Sequence, residues 1–205
     1  MARMHERRLP WWPKWLFSLW ILCWAPTYVV LLGPQNFLWL CNLANFLILV
    51  ALWTESRRLM SMQLLAVLLV GTLWAVDVGT ALVTGWHPIG GTEYMFDPDH
   101  PAVTRALSLY HLILPIVASL SVWRLGFDRR AILWQTGLTW LIVPLSYAIT
   151  DPERNINWVH GPFGQPQESL DPLVYLVGLM VAWPLAVYLP VQLLMICLQR
   201  WRSIS

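Results

Sequence analysis

The sequence predicts an all-α membrane protein, a six-transmembrane-helix bundle in one domain spanning residues 1–205, with both termini cytoplasmic. Three observations carry this reading. The 205 residues are 58% hydrophobic and only 12% charged, too apolar for a water-soluble domain of this size. The apolar residues fall into six runs, each close to or above the roughly 20 residues that cross a bilayer. The basic residues collect on alternate connections, which fixes an orientation by the positive-inside rule.

The first run, Trp15 to Leu32, follows MARMHERRLPWWPKW and is read as a retained span, because no small-residue cleavage pattern follows Ala25-Pro26. A tight reversal, Gly33-Pro34-Gln35-Asn36, leads to the second run, Phe37 to Thr54. The short loop Glu55 to Arg58 leads to the third, Met60 to Thr84. Val103 to Trp123 is the fourth, Ala131 to Thr150 the fifth and Pro172 to Leu198 the sixth. Two connections are long: residues 85–102, GWHPIGGTEYMFDPDHPA, and residues 151–171, DPERNINWVHGPFGQPQESLD. Both exceed the roughly 12 to 15 residues beyond which an unstructured loop is functional or disordered. Their aromatic and proline content argues for order, so they are expected to fold over the outer mouth of the bundle as a lid.

Arg3, Arg7, Arg8 and Lys14 precede the first run, Arg57 and Arg58 follow the second, Arg124, Arg129 and Arg130 follow the fourth, and Arg200 and Arg202 close the chain. Only Arg105 and Arg154 fall on the opposite side, where Glu93, Asp97, Asp99, Asp151, Glu153, Glu168 and Asp171 gather. The net charge of +2 conceals this asymmetry and gives no reason to invoke nucleic acid. The expected location is the plasma (inner) membrane, multi-pass, with membrane lipids and other membrane subunits as partners. Trp11, Trp12, Trp15, Trp53, Trp123, Trp134 and Trp201 fall near the inner interface and Trp39, Trp86 and Trp158 near the outer one, as an aromatic belt requires.

Several chemistries drop out. A retinal Schiff base needs a lysine within the bundle, and the only lysine is Lys14 at its edge. Bis-histidine haem ligation needs two intramembrane histidines, and only His111 qualifies. Gly90-Gly91 opens no strand-to-helix unit, so no nucleotide fingerprint exists. Cys23, Cys41 and Cys197 lie in different spans with no metal or disulfide spacing, and the acidic loops match no ligand pattern. No cofactor and no metal are expected.

What remains is a polar layer. Counting at 1.5 Å per residue, Cys41 lies about 6 Å and Asn45 about 12 Å below the outer end of the second span, Asp77 about 10 Å and His111 about 12 Å below theirs. Asn42 joins them, Arg105 and Ser108 stand above His111 at three-residue spacing, and Tyr147 adds a polar group near the outer end of the fifth span. The inner half of spans two to five is expected to hold nothing comparable. Intramembrane polar groups need partners, which predicts an outward-facing polar pocket. Cys41 is the candidate nucleophile, His111 its base and Asp77 its orienter, with Asn42, Asn45 or Arg105 stabilising an oxyanion or phosphate. An Asp77–Arg105 ion pair and helix-bridging asparagines are the structural alternatives.

The segments LWLCNLANFLILVALWTESRR, RLGF and NINWVHGP ahead of a final apolar helix resemble the YwaF-like integral membrane proteins, which include relatives implicated in ether-phospholipid acyl transfer. In that family the second span opens with His-x-Cys; Cys41 matches the cysteine and Trp39 occupies the histidine position. Asn155, Asn157 and Trp158 match an N-x-N-aromatic element, and His111 the histidine of the fourth span. The resemblance implies a Cys/His acyl-transfer centre at the outer face, fed by a phospholipid acyl chain. A lipid acyltransferase is therefore one expectation. A non-enzymatic subunit or scaffold of a membrane complex, and a pocket that binds lipid or quinone without reacting, are the alternatives.

Overall fold

The computed structural model describes residues 9–204, with side chains through Trp201, and contains only helices and turns among them. Arg3, Arg7 and Arg8, on which part of the topology reading rests, lie outside the described residues, as does the side chain of Arg202. The helices are α1 (Trp11–Leu32), α2 (Leu40–Thr54), α3 (Arg57–Thr84), α4 (Ala102–Leu107), α5 (Tyr110–Leu125), α6 (Ala131–Ile149), α7 (Pro172–Ala182) and α8 (Leu189–Ile204). A π-helical turn, Trp183–Tyr188, joins α7 to α8.

Five stretches are long and apolar enough to cross a membrane: α1, α3, α4 with α5, α6, and α7 through α8. The sixth expected span is cut short. Pro34–Leu38 forms a 3-10 turn and the backbone extends at Trp39 (φ −56°, ψ 127°), so α2 starts only at Leu40. Its rise is about 22 Å, less than a hydrocarbon core of roughly 30 Å.

Burial follows the helical period. On α1, Phe17, Ile21, Trp24 and Tyr28 form the inward stripe, while Trp11, Trp12, Trp15, Leu19 and Leu22 face away. On α6 the stripe is Ala131, Gln135, Thr139, Ile142 and Ser146. α3 is the central helix. Residues 60–67 are buried almost all round, and beyond them Gly71, Trp74, Asp77 and Ala81 continue a single inward stripe. It packs against α2, α5, α6 and α8.

The closest approach is between α3 and α5. A Cβ built on Gly71 would lie 2.5 Å from Pro115 Cγ and 2.6 Å from the His111 carbonyl oxygen. Pro115 has no N–H, so it leaves the carbonyl four residues earlier, that of His111, without its intrahelical donor. Glycine lets the α3 backbone meet that exposed carbonyl directly.

At the end of the bundle carrying Arg57, Arg58, Arg129 and Arg130, the helices are tied by polar groups. Lys14 pairs with Glu55 at 2.6 Å. Asp128 accepts from the Arg130 backbone N–H at 2.9 Å and from Arg58 Nε at 3.1 Å, while its own N–H donates to Ser61 Oγ at 3.0 Å. The Arg130 N–H and Arg58 together hold its carboxyl below the usual carboxylate range. The seven tryptophans expected at this end are all exposed, as is Trp86 at the other, whereas Trp39 and Trp158 are half-buried.

One further proline-freed carbonyl lies at the junction of α7 and α8. Pro184 releases the Met180 carbonyl, which accepts instead from Trp140 Nε1 at 2.9 Å, tying α6 to the α7 side of the π turn. The π turn also swings Tyr188 fully inward, where its hydroxyl meets Thr139 Oγ1 at 2.6 Å.

Replacing Gly71 by alanine is expected to lower stability by about 1–3 kcal/mol through overpacking. Gly79→Ala, where no atom lies within 4 Å of the new Cβ, should be neutral or slightly stabilising. Thermal unfolding of the two variants in the same detergent compares them directly; equal melting temperatures would contradict the close α3–α5 contact.

Candidate functional site

The predicted polar layer divides into three separate groups. The first centres on Tyr110, the opening residue of α5. Its hydroxyl reaches Asn42 Oδ1 and Cys41 Sγ, the latter at 3.3 Å. One phenolic proton cannot serve both acceptors at once. Cys41 is the second residue of α2. Asn42 Nδ2 donates to the Asn36 carbonyl at 2.7 Å, so its amide is fully engaged in closing the turn before α2.

His111 follows Tyr110 directly. Its ring is stacked between Tyr110 (centroids 4.2 Å apart) and Trp74 of α3 (5.1 Å). His111 Nδ1 lies 2.8 Å from the Ser108 carbonyl; a carbonyl only accepts, so Nδ1 carries the proton and Nε2 is left as an acceptor. The helix is tightened there into i→i+3 bonding, with the His111 N–H also reaching the Ser108 carbonyl at 3.1 Å. No hydrogen bond joins His111 to Cys41 or to Asp77 among the described residues. Instead His111 lines a groove of about 440 Å³ between α3 and α5, together with Gly71, Ala75, Leu112 and Pro115.

Ser108 Oγ donates to the Thr104 carbonyl at 2.9 Å, which makes the Tyr28 hydroxyl the donor in their 3.2 Å contact. Tyr94, from the loop between α3 and α4, accepts from Trp74 Nε1 at 3.1 Å and lies beside Ser108. Burial pushes its phenol up to about 12, so it stays a neutral hydroxyl at physiological pH. Four residues of this group, Tyr28, Trp74, Tyr94 and Tyr110, are ones the depth reading did not single out. Two deep tyrosines, Tyr28 and Tyr110, were the available signal, since tyrosine at a membrane interface needs no partner and one in mid-span does.

Asp77 belongs to a second group. Its carboxylate, fully buried, accepts from the N–H of Ile89 (2.7 Å) and Gly90 (3.1 Å), from the Thr92 hydroxyl, and meets His87 Nδ1 at 3.1 Å. It therefore anchors the loop after α3 and does not orient His111. Nor does it pair with Arg105, whose Nη1 donates to the Met95 carbonyl at 3.2 Å while Nε is buried without a partner. Both expectations are corrected for one reason: residue counting fixes depth but not the direction a side chain takes around its helix.

The third group secures the other long loop. Asn157, at φ 56°, accepts from the Leu40 N–H at 2.9 Å and donates to the Leu38 carbonyl at 2.7 Å and to Ser146 Oγ at 3.0 Å. It thus bridges the break at Trp39, caps α2 and ties both to α6. Asn155 closes its own loop, donating to the Gly161 carbonyl and accepting from the His160 N–H, each at 2.8 Å. Trp158 rests on Phe163, and its carbonyl accepts from Tyr175 at 2.9 Å. Tyr147 stacks against His160 at 5.0 Å. Asn45 bridges helices, accepting from Trp20 Nε1 at 3.0 Å and donating to the Cys41 carbonyl at 3.3 Å. These residues hold the loops and helices in place and do not converge on His111.

The half of the bundle expected to be featureless is not. Gln63 and Gln135, each 1% exposed, face one another at 3.5 Å, and Thr139 and Tyr188 continue the buried polar line. Tyr188 lies within the sixth apolar run, and the π turn Trp183–Tyr188 is where it meets the core.

No known family model, curated protein or solved structure matches the chain.

Asn157→Ala is expected to leave the Leu40 N–H and the Leu38 carbonyl unpaired and to cost about 1–3 kcal/mol. Asn157→Asp, which keeps the acceptor and loses both donations, should fall between. Thermal unfolding and the rate of proteolytic cleavage within residues 151–171 report the change; unaltered cleavage in Asn157→Ala would mean the loop is held by other contacts.

Proposed function

We propose that the chain is a polytopic protein of the plasma membrane, with six crossings and both termini in the cytoplasm, that binds a membrane lipid with its polar end at His111. The orientation is supported by Arg57, Arg58, Arg124, Arg129 and Arg130 at one end and the acidic loops at the other. In a chain whose native cysteines are replaced by alanine, Glu168→Cys should react with an impermeant maleimide on intact cells, and Arg124→Cys only after permeabilisation. The reverse pattern would refute the orientation.

One observation carries the lipid reading: His111 Nε2 has no hydrogen-bond partner among the described residues, and His111 lines a groove whose other walls are apolar apart from Thr72 and Ser119. An acceptor facing hydrocarbon is costly, and a lipid hydroxyl or protonated acid group offsets that cost. His111→Ala is expected to weaken retention of co-purified lipid by about 3- to 10-fold, the worth of one neutral hydrogen bond. Native mass spectrometry after gentle extraction measures this, and undiminished lipid in a normally folded variant would sink the proposal.

Acyl transfer is a second reading, favoured by Cys41. Its sulfur receives the Tyr110 hydroxyl at the first turn of α2, a position where reactive cysteines occur, and it matches the cysteine of the YwaF-like pattern. In this reading the sulfur takes the acyl group from a lipid ester, and the S–H proton leaves with the released alcohol. The same preparations separate the two: Cys41→Ala should keep bound lipid in either case, and abolishes labelling by a thiol-reactive acyl probe only if acyl transfer operates.

A further inference from the structure

The groove at His111 does not end on α5's upper half. A second cavity of about 230 Å³ lies between α3, α5 and α8, and the two share Leu68 and Ser119 in their linings. Their shared residues place them end to end along α5, from His111 to Gly126 and Phe127, with Met195 and Leu198 of α8 on the far wall of the second, and we read them as one trough. At 1.5 Å per residue, His111 to Gly126 spans about 22 Å. A single leaflet contributes only about 15 Å of the roughly 30 Å hydrocarbon core.

The polar groups of the trough are few. Thr72 Oγ1 is returned to the Leu68 carbonyl at 2.6 Å. At the far end Gln199 is engaged by both atoms of its amide, donating to the Phe127 carbonyl at 2.9 Å and accepting from Arg129 Nε at 3.4 Å. The His111 end offers acceptors, Nε2 and the carbonyl freed by Pro115, and the Ser119 hydroxyl lies at the waist that the two cavities share; neither Nε2 nor that hydroxyl has a hydrogen-bond partner among the described residues. Ala75 and Ser119, both small, keep the helix surfaces low beside the crossing at Gly71, so that a chain can lie along it.

We infer that the trough holds one long hydrocarbon chain, longer than a single leaflet accommodates, with a hydrogen-bond donor at its head against His111 and its tail beside Met195 and Leu198. This rests on the lipid reading above and deepens it by naming the class of lipid: a single-chain alcohol or protonated acid, selected by length at the Ser119 waist. The unpartnered acceptor fixes the direction of the chain, and the engaged Gln199 amide closes the other end to polar heads.

The test uses the full chain in liposomes with photoactivatable fatty alcohols of dodecyl, octadecyl and tetracosyl length. A diazirine next to the hydroxyl should crosslink to Leu112 and Ala75, and one at the tail of the octadecyl or longer probe to Met195 and Leu198. The dodecyl tail should stop short of α8. Ser119→Trp should reduce tail crosslinks on α8 at least tenfold and leave head crosslinks in place. Leu194→Trp, from a half-exposed position on the opposite wall, should act in the same way, so a folding defect in one variant does not decide the matter. Leu133→Trp on the membrane-facing side of α6 should change nothing. Crosslinks spread evenly over α6 and α8, or tail crosslinks indifferent to both plugs, would mean ordinary annular lipid and overturn the inference. That failure is distinguishable from failure of the lipid reading: His111→Ala tests retention at the head, whereas the plugs test the course of the tail.

Discussion

The contact of α3 with α5 at Gly71 is the constraint from which the site follows. Pro115 strips the His111 carbonyl of its helical donor, and only a residue without a side chain on α3 can come up against that carbonyl. Because the two backbones touch there, Trp74, one turn along α3, stacks on the His111 ring, and Tyr110 closes the other face. The groove that His111 lines runs along this same contact, with Gly71 and Pro115 in its wall. One glycine and one proline thus set both the position of the histidine and the space in front of it.

Backbone satisfaction explains the rest of the acidic end. Hydrocarbon gives no substitute for a missing hydrogen bond, so each irregular segment there has its own dedicated polar residue. Asp77 gathers two backbone N–H groups and a hydroxyl of the loop after α3. Asn157 supplies both a donor and an acceptor to the break before α2. The two long loops are therefore fastened to helices by buried side chains, which gives these polar residues a structural occupation. Charged or amide groups that look catalytic in a list of intramembrane polar residues are here mostly the pins that allow loops to exist at that depth.

Five of the six apolar runs correspond to stretches long and apolar enough to cross a membrane, and the common level of several polar residues was legible too, since depth is a matter of counting along a helix. Cys41, Asn42, Ser108 and His111 do lie in one neighbourhood. The direction of each side chain was not legible: Asp77 shares their depth, yet it turns to His87 and Thr92. Aromatic residues were the other blind spot, because in a chain so rich in tryptophan the belt explains most of them. Tyr28, Trp74, Tyr94 and Tyr110 pass as greasy residues until their hydroxyl and ring partners are known. The shortness of α2 was hidden for a different reason, as Phe37, Leu38 and Trp39 are apolar enough to extend the run although Pro34 and the 3-10 turn hold them outside the helix.

The cap on α2 also bears on how the chain is made. Leu40 and Asn157 are separated by 117 positions, and a ribosome working at about 5 to 20 residues per second needs on the order of 10 s to cover that interval. For all of that time the first turn of α2 is without its partner while four later helices emerge. The final seating of α2 therefore depends on a loop that arrives only after α6 has been made. Biogenesis of this bundle is in that sense closed from the far end of the chain back toward its beginning.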